Sequence, residues 1–201
     1  MRTILFGITG GIGSGKTTIA RALEQLGYKV YYTDRSARQI MEQNPCVRSQ
    51  IELLFGSDIY AGDCLDRQEV ALQVFNDRRL LERLNGIVHP AVRFDLEQWK
   101  KEQSGICFVE SAILFESRLN EICDGVINIA SPQEVRIKRV AARDKMSPEE
   151  IESRINNQMT DQERLRLSDI TIINDEQSKI SNIIEQIQEY CHRQEKEDIC
   201  Q

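Results

Sequence analysis

Residues 10 to 17 read Gly10-Gly11-Ile12-Gly13-Ser14-Gly15-Lys16-Thr17, which satisfies the pattern G-x-x-x-x-G-K-[ST]. Closely spaced glycines let a backbone wrap around an anion with its N–H groups turned inward, and a helix starting at Lys16 adds the positive end of its dipole. Lys16 is placed to neutralise the outer phosphates of a nucleotide. Thr17 supplies a hard oxygen of the kind Mg²⁺ prefers, and Thr18 falls toward the inner phosphate. The nucleotide contacts expected from the loop are therefore Gly11, Ile12, Gly13, Ser14, Gly15, Lys16, Thr17 and Thr18, with Thr17 as metal ligand. A bare glycine turn with an exposed lysine is the alternative. The flanks argue against it, because Arg2 to Thr9 is a short apolar run of strand type and Ile19, Ala20, Leu23 and Leu26 follow at helical spacing.

Outward from that strand, loop and helix, Tyr28 to Thr33 is rich in β-formers and predicts a second strand that delivers Asp34 to its C-terminal edge, where open parallel sheets bind ligands. Residues 36–103 read mostly helical, with a cap at Asp66 and amphipathic stretches at Leu80 to Val88 and Val92 to Trp99. His89-Pro90, read alone, suits a helix entry. Compact apolar runs at Ile106 to Val109 and Gly125 to Ile129 predict strands buried on both faces. Ser131-Pro132-Gln133-Glu134 and Ser147-Pro148-Glu149-Glu150 each offer a capping hydroxyl, a first-turn proline and a reciprocal glutamate, predicting a helical hairpin. Asp169 to Asn174 reads as a last strand, and Ile180, Ile183, Ile184 and Ile187 as an amphipathic helix before a charged, fraying tail. The expected fold is α/β, a parallel-sheet core of three layers with a helical insertion and a helical lid. Residues 1–35, 104–132 and 166–201 make the core, 36–103 the insertion and 133–165 the lid.

Composition narrows the function. The chain has 201 residues, 40% hydrophobic and 29% charged, which is ordinary for one folded catalytic unit. A net charge of -6 argues against nonspecific nucleic-acid binding, which needs a basic surface. The apolar start is cut short by Thr9 and Gly10, so neither a membrane span nor an export signal is expected, and the cytoplasm is the expected location. Cys46, Cys64, Cys107, Cys123, Cys191 and Cys200 are scattered, with no C-x-x-C pair, so reduced thiols are expected in place of disulfides or a zinc site.

A phosphate loop fixes the donor and leaves the reaction open. The chain lacks the DxxG and NKxD patterns of a switch GTPase, which favours a kinase of small molecules. Asp34 is the candidate to accept a hydrogen bond from an attacking hydroxyl and draw off its proton. In isolation such an aspartate more often caps a helix. Arg136, Arg139 and Arg143 recur at helical spacing and form a cationic stripe that can close over a transferring phosphate, although pairs such as Arg143 with Asp144 offer a plain surface alternative.

Taken together, these residues resemble the dephospho-coenzyme A kinase family over nearly the whole chain. The ordered motifs are TGGIGSGKT at Thr9 to Thr17, Asp34 with Ala37-Arg38, LNGIVHP at Leu84 to Pro90, AILFE at Ala112 to Glu116, KRVAARD at Lys138 to Asp144, and Ile173-Asn174. The resemblance implies transfer of the γ-phosphate of ATP, with Mg²⁺, to the ribose 3′-hydroxyl of dephospho-coenzyme A, with no nucleic-acid, membrane or obligate protein partner. It further implies that the insertion binds the coenzyme and that Asp34 is the catalytic base. Lys16, Arg139 and Arg143 then act on the phosphates, Arg38, His89 and Arg93 hold the acceptor, Leu114, Phe115 and Glu116 line its site, and Asn174 lies near the nucleotide. The chain departs from the family pattern at Tyr32, at Ala112 and at Asp175-Glu176, where the family often has an acid, a proline and a glycine. Two rivals stay open on the residues alone: a P-loop kinase for another alcohol, and a nucleotide-gated binding module with no acceptor.

Overall fold

A computed structural model describes residues 2–75 and 77–199. By contacts the chain separates into two compact units, Met1–Tyr31 with Lys100–Gln201, and Tyr32–Trp99.

The first unit opens with β1 (Thr3–Thr9), the glycine loop, α1 (Lys16–Gln25) and β2 (Lys29–Tyr32). The second unit carries α2 (Thr33–Gln43), α3 (Pro45–Phe55), β3 (Tyr60–Ala61), β4 (Cys64–Leu65), α4 (Arg67–Phe75) and most of α5 (Arg78–Lys101). The chain then returns to the first unit through β5 (Gly105–Glu110), β6 (Gly125–Ala130), α6 (Gln133–Asp144), α7 (Pro148–Asn156), α8 (Asp161–Leu167), β7 (Ile170–Ile173) and α9 (Ile180–Ile199).

The five-stranded sheet runs β2-β5-β1-β6-β7. β1 pairs in parallel with both β5 and β6, and β6 with β7, so the strand that feeds the glycine loop lies at the centre. Leu5, Phe6, Ile8, Phe108, Val109, Ile127 and Ile129 are buried. Helices cover both faces of such a sheet, which explains why these strands read as unbroken apolar runs without alternation.

In the second unit Val47, Ile51, Ile59, Tyr60, Leu65 and Val70 form a separate apolar core. Asp66 caps α4 as the sequence implied, its Oδ1 accepting from the amides of Gln68 and Glu69 at 3.1 and 3.0 Å. Two features differ from the expected run of helices. A short antiparallel hairpin, β3 with β4, turns at Gly62, whose φ of 63° lies in the left-handed region a tight two-residue turn requires. Pro90, expected at a helix entry, lies inside α5. A proline there forgoes a backbone hydrogen bond and crowds the carbonyl four residues back. The helix continues because Val88, Val92 and Leu96 are buried along one stripe on both sides of Pro90, each fully buried side chain contributing about 1.5–3 kcal/mol.

The segment expected as a helical hairpin contains three helices, α6, α7 and α8. The capping box at Ser147 and Glu150 is present, and a second one is formed by Thr160 and Glu163. At Ser131 the expected box is absent: Pro132 takes the N-cap position, and the Ser131 hydroxyl accepts from Arg139 Nη1 at 3.4 Å. The last helix runs through the charged segment as far as Ile199, where fraying was expected. Cys46, Cys64, Cys107, Cys123 and Cys191 are free, and Cys200 lies outside the described residues. Among the described residues no helix is long and apolar enough to cross a membrane.

Candidate active site

β1 ends at Thr9 and α1 begins at Lys16, so the six residues between them must turn the chain through the glycine loop. Gly13 and Gly15 have φ of 78° and 90°, left-handed values that side chains with a Cβ adopt only under strain. A Cβ at Gly13 would also meet the Arg136 carbonyl at 2.7 Å. The Ser14 amide closes the turn on the Gly11 carbonyl at 3.1 Å. Lys16 and Thr17 occupy the first turn of α1, the positive end of its dipole.

Behind the loop, Thr17 Oγ1 donates to Glu110 Oε1 at 3.1 Å. Glu110 is the last residue of β5 and is 5% exposed. A buried carboxylate touching the candidate Mg²⁺ ligand is a candidate site feature that motif reading missed, although the acid at the end of an apolar strand was a usable signal.

Three segments distant in sequence hold the loop from outside. The Ile12 amide donates to Gln158 Oε1 at 2.9 Å, from the segment between α7 and α8. Asn174 Nδ2 donates to the Ser14 carbonyl at 2.7 Å, so this residue braces the loop with its side-chain amide. Arg139 donates to the carbonyls of Asn174 and Asp175 at 3.1 and 3.0 Å. Arg136, buried at 3% exposure, lies against Gly11 and donates to Asp161 at 2.7 Å. The stripe of three arginines is thus divided: Arg143 forms a two-pronged pair with Asp144 on the surface, which holds its charge and pushes the Asp144 carboxyl below its ordinary range.

Of the acceptor residues expected in the first unit, Leu114 is wholly buried, its side chain packed on Gly7. Phe115 is half-buried, and Glu116 Oε1 accepts from the Met159 amide at 3.2 Å.

In the second unit Asp34 is exposed and lies in the first turn of α2, two residues past β2 and not on the strand's own edge. The helix does not use it as a cap: the N-cap position is Tyr32, with no side-chain cap hydrogen bond. Asp34 and Arg38, one turn apart, line a mainly apolar cavity of about 350 Å³ with Met41, Leu65, Arg67 and Val74. An apolar cleft with a few charged groups is the usual form of a small-molecule site. His89 and Arg93 are half-buried on α5, one turn apart, and are not among the residues lining this cavity; Arg93 donates to Glu97 at 3.2 Å.

Residues 4–179 match the dephospho-CoA kinase family. This chain belongs to that family. It is 42% identical over 173 residues to a dephospho-CoA kinase from Porphyromonas gingivalis, covering 85% of this chain and 86% of that one. Its fold is similar to a solved structure from Thermus thermophilus, with a TM-score of 0.76 and 34% identity over 87% of this chain and 90% of the other. It is also similar to dephospho-CoA kinase from Campylobacter jejuni, with a TM-score of 0.68 and 26% identity over 94% and 98% of the two chains. By family this chain is an ATP-dependent kinase of coenzyme A biosynthesis, and its fold is that of the P-loop kinases.

Proposed function

We propose that this dephospho-CoA kinase binds ATP through the amides of residues Gly11 to Thr18 and the Lys16 ammonium, and that Asp34 takes the proton of the ribose 3′-hydroxyl as it attacks the γ-phosphorus. The bond from that oxygen to phosphorus forms as the bond to the ADP oxygen breaks, giving coenzyme A and ADP. Phosphoryl transfer asks a protein mainly for position and for positive charge around the transferring group. The glycine loop, Lys16 and the arginines of α6 meet that need, Arg139 and Arg143 by reorienting from their present partners.

The observation that carries this reading is the Thr17–Glu110 pair behind the loop. Its hydroxyl and carboxylate oxygens suit Mg²⁺, which is usually held by one or two protein oxygens together with substrate phosphates and water. An ion held there would supply positive charge to neutralise the outer phosphates. Thr17 would ligate it and Glu110 would orient the hydroxyl and the ligating water.

On the acceptor side we assign the helical insertion to the coenzyme, with Arg38, His89 and Arg93 as binding residues, and count Phe115 and Glu116 among the acceptor-binding residues. Free thiols and an ATP-dependent reaction suit the cytoplasm.

The test is acceptor dependence. Purified protein with ATP and Mg²⁺ should release ADP when dephospho-coenzyme A is added, and the product should gain one phosphate by mass. Preference for AMP, TMP or gluconate would overturn the acceptor, and ADP release indifferent to any acceptor would favour a nucleotide-gated module.

A further inference from the structure

Residues 157–160 join α7 to α8. Surface connectors usually keep some freedom, but in this one every backbone amide is matched. Asn157 and Gln158 donate to the carbonyls of Ser153 and Ile155 at 3.2 and 3.1 Å, which closes α7. Met159 donates to Glu116 Oε1 at 3.2 Å and Thr160 to Glu163 Oε2 at 3.1 Å. The Met159 carbonyl accepts from Arg164 Nη2 at 2.7 Å, and that guanidinium is buried and held in turn by Asp161 at 2.8 Å.

The connector is therefore a fixed point, and the Gln158 side chain extends it to the glycine loop, where Oε1 accepts from the Ile12 amide at 2.9 Å. The loop has need of such a point. Gly10, Gly11, Gly13 and Gly15 take four of the six positions between β1 and α1, and glycine gives up more conformational freedom on ordering than any other residue. Ile12 lies inside the turn that the Ser14 amide closes on the Gly11 carbonyl at 3.1 Å. That turn ties the loop only to itself; the Gln158 bond ties the turn to the rest of the fold.

We infer that Gln158 is a positioning residue for phosphoryl transfer: acting through Ile12, it holds the centre of the glycine loop in its anion-binding shape, so that the loop meets ATP already ordered. This rests on the reading of the loop as the ATP site. A loop ordered in advance binds more tightly because the cost of ordering no longer falls on the binding step. The neighbouring Met159 bonds the same connector to Glu116, so the segment that sets the donor loop is also tied to the segment that follows β5.

The experiment compares the wild type with Gln158→Met, which keeps the side chain's length and removes the acceptor, and with Gln158→Glu, which keeps an acceptor oxygen at the same reach. Amide exchange of residues 10–15, followed by mass spectrometry without nucleotide, should be faster in Gln158→Met than in the wild type and near the wild type in Gln158→Glu. Saturating ATP should remove the difference. In steady-state rates the KM for ATP should rise about three- to ten-fold in Gln158→Met, with KM for dephospho-coenzyme A unchanged, and should return toward the wild type in Gln158→Glu. Unchanged loop exchange or an unchanged KM for ATP in Gln158→Met would overturn the inference. So would a fall in kcat with both KM values unchanged, or an equal rise in both, since either marks a general loss of structure. Should Gln158→Met fail to fold, Gln158→Asn, one methylene short of the loop, takes its place with the same expectations. If ATP does not slow exchange in the wild-type loop, the reading of the loop as the ATP site falls instead.

Discussion

The Thr17 hydroxyl donates a 3.1 Å hydrogen bond to Glu110, joining the first turn of α1 to the last residue of β5 behind the glycine loop. Glu110→Gln keeps the shape and removes the charge. Changes just behind a metal ligand commonly cost about 10- to 100-fold in metal affinity or activity. We expect the Mg²⁺ concentration for half-maximal rate to rise by that order, with KM for dephospho-coenzyme A unchanged. Rate measurements against Mg²⁺ at saturating substrates check it; an unchanged Mg²⁺ dependence would leave Glu110 a structural partner of Thr17.

Lys16 and Asp34 should separate donor from acceptor. Lys16→Ala removes charge from the phosphates, so both turnover and ATP binding should collapse. If Asp34 is the proposed proton acceptor, Asp34→Asn should abolish turnover while ATP affinity stays near that of the wild type. Nucleotide titration of the two variants distinguishes these roles. Equal loss of ATP affinity in both would contradict Asp34 as an acceptor-side base.

Asn174 can be tested as a brace of the loop. Its side-chain amide is committed to the Ser14 carbonyl at 2.7 Å, and Asn174→Ala leaves that acceptor unmatched. Such a loss costs about 1–3 kcal/mol. We expect KM to rise for ATP and GTP by a similar factor, since both share the triphosphate that the loop holds. A change in the ATP to GTP preference, measured by initial rates with each nucleotide, would instead give Asn174 a part in reading the base.

What could be read from the sequence follows from which interactions are local. Gly10 to Thr17 announced strand, loop and helix because every requirement lies within a few residues, and the capping box at Ser147 and the cap at Asp66 are similarly short-range. The Ile12–Gln158 and Ser14–Asn174 contacts span 146 and 160 residues, and no spacing rule brings those partners together. Arg136 illustrates the limit most clearly. Helical period groups it with Arg139 and Arg143, yet α8 packs beside it and takes it out of solvent, while Arg143 stays on the surface with Asp144. Pro90 failed as a helix boundary for a related reason, tertiary burial at Val88 and Val92 outweighing local preference.

The cysteines should divide by environment. Burial raises the Cys107 and Cys123 thiols to about 12, with a smaller opposing pull from Lys100, and it raises Cys191 as well. Cys107 and Cys123 also point their Sγ atoms at the carbonyls of Ile4 and Leu119, at 3.5 and 3.3 Å. At pH 8 a thiol of that acidity is thiolate to only about one part in ten thousand, and the thiolate is the reactive form. Cys46 and Cys64 are exposed. In a Cys200→Ser background, a disulfide reagent at pH 8 should therefore label Cys46 and Cys64 quickly, the half-buried Cys123 more slowly, and the buried Cys107 and Cys191 only after denaturation, as followed by absorbance and peptide mass. Rapid labelling of Cys107 in the native protein would mean that the packing at the centre of the sheet opens far more readily than its burial implies.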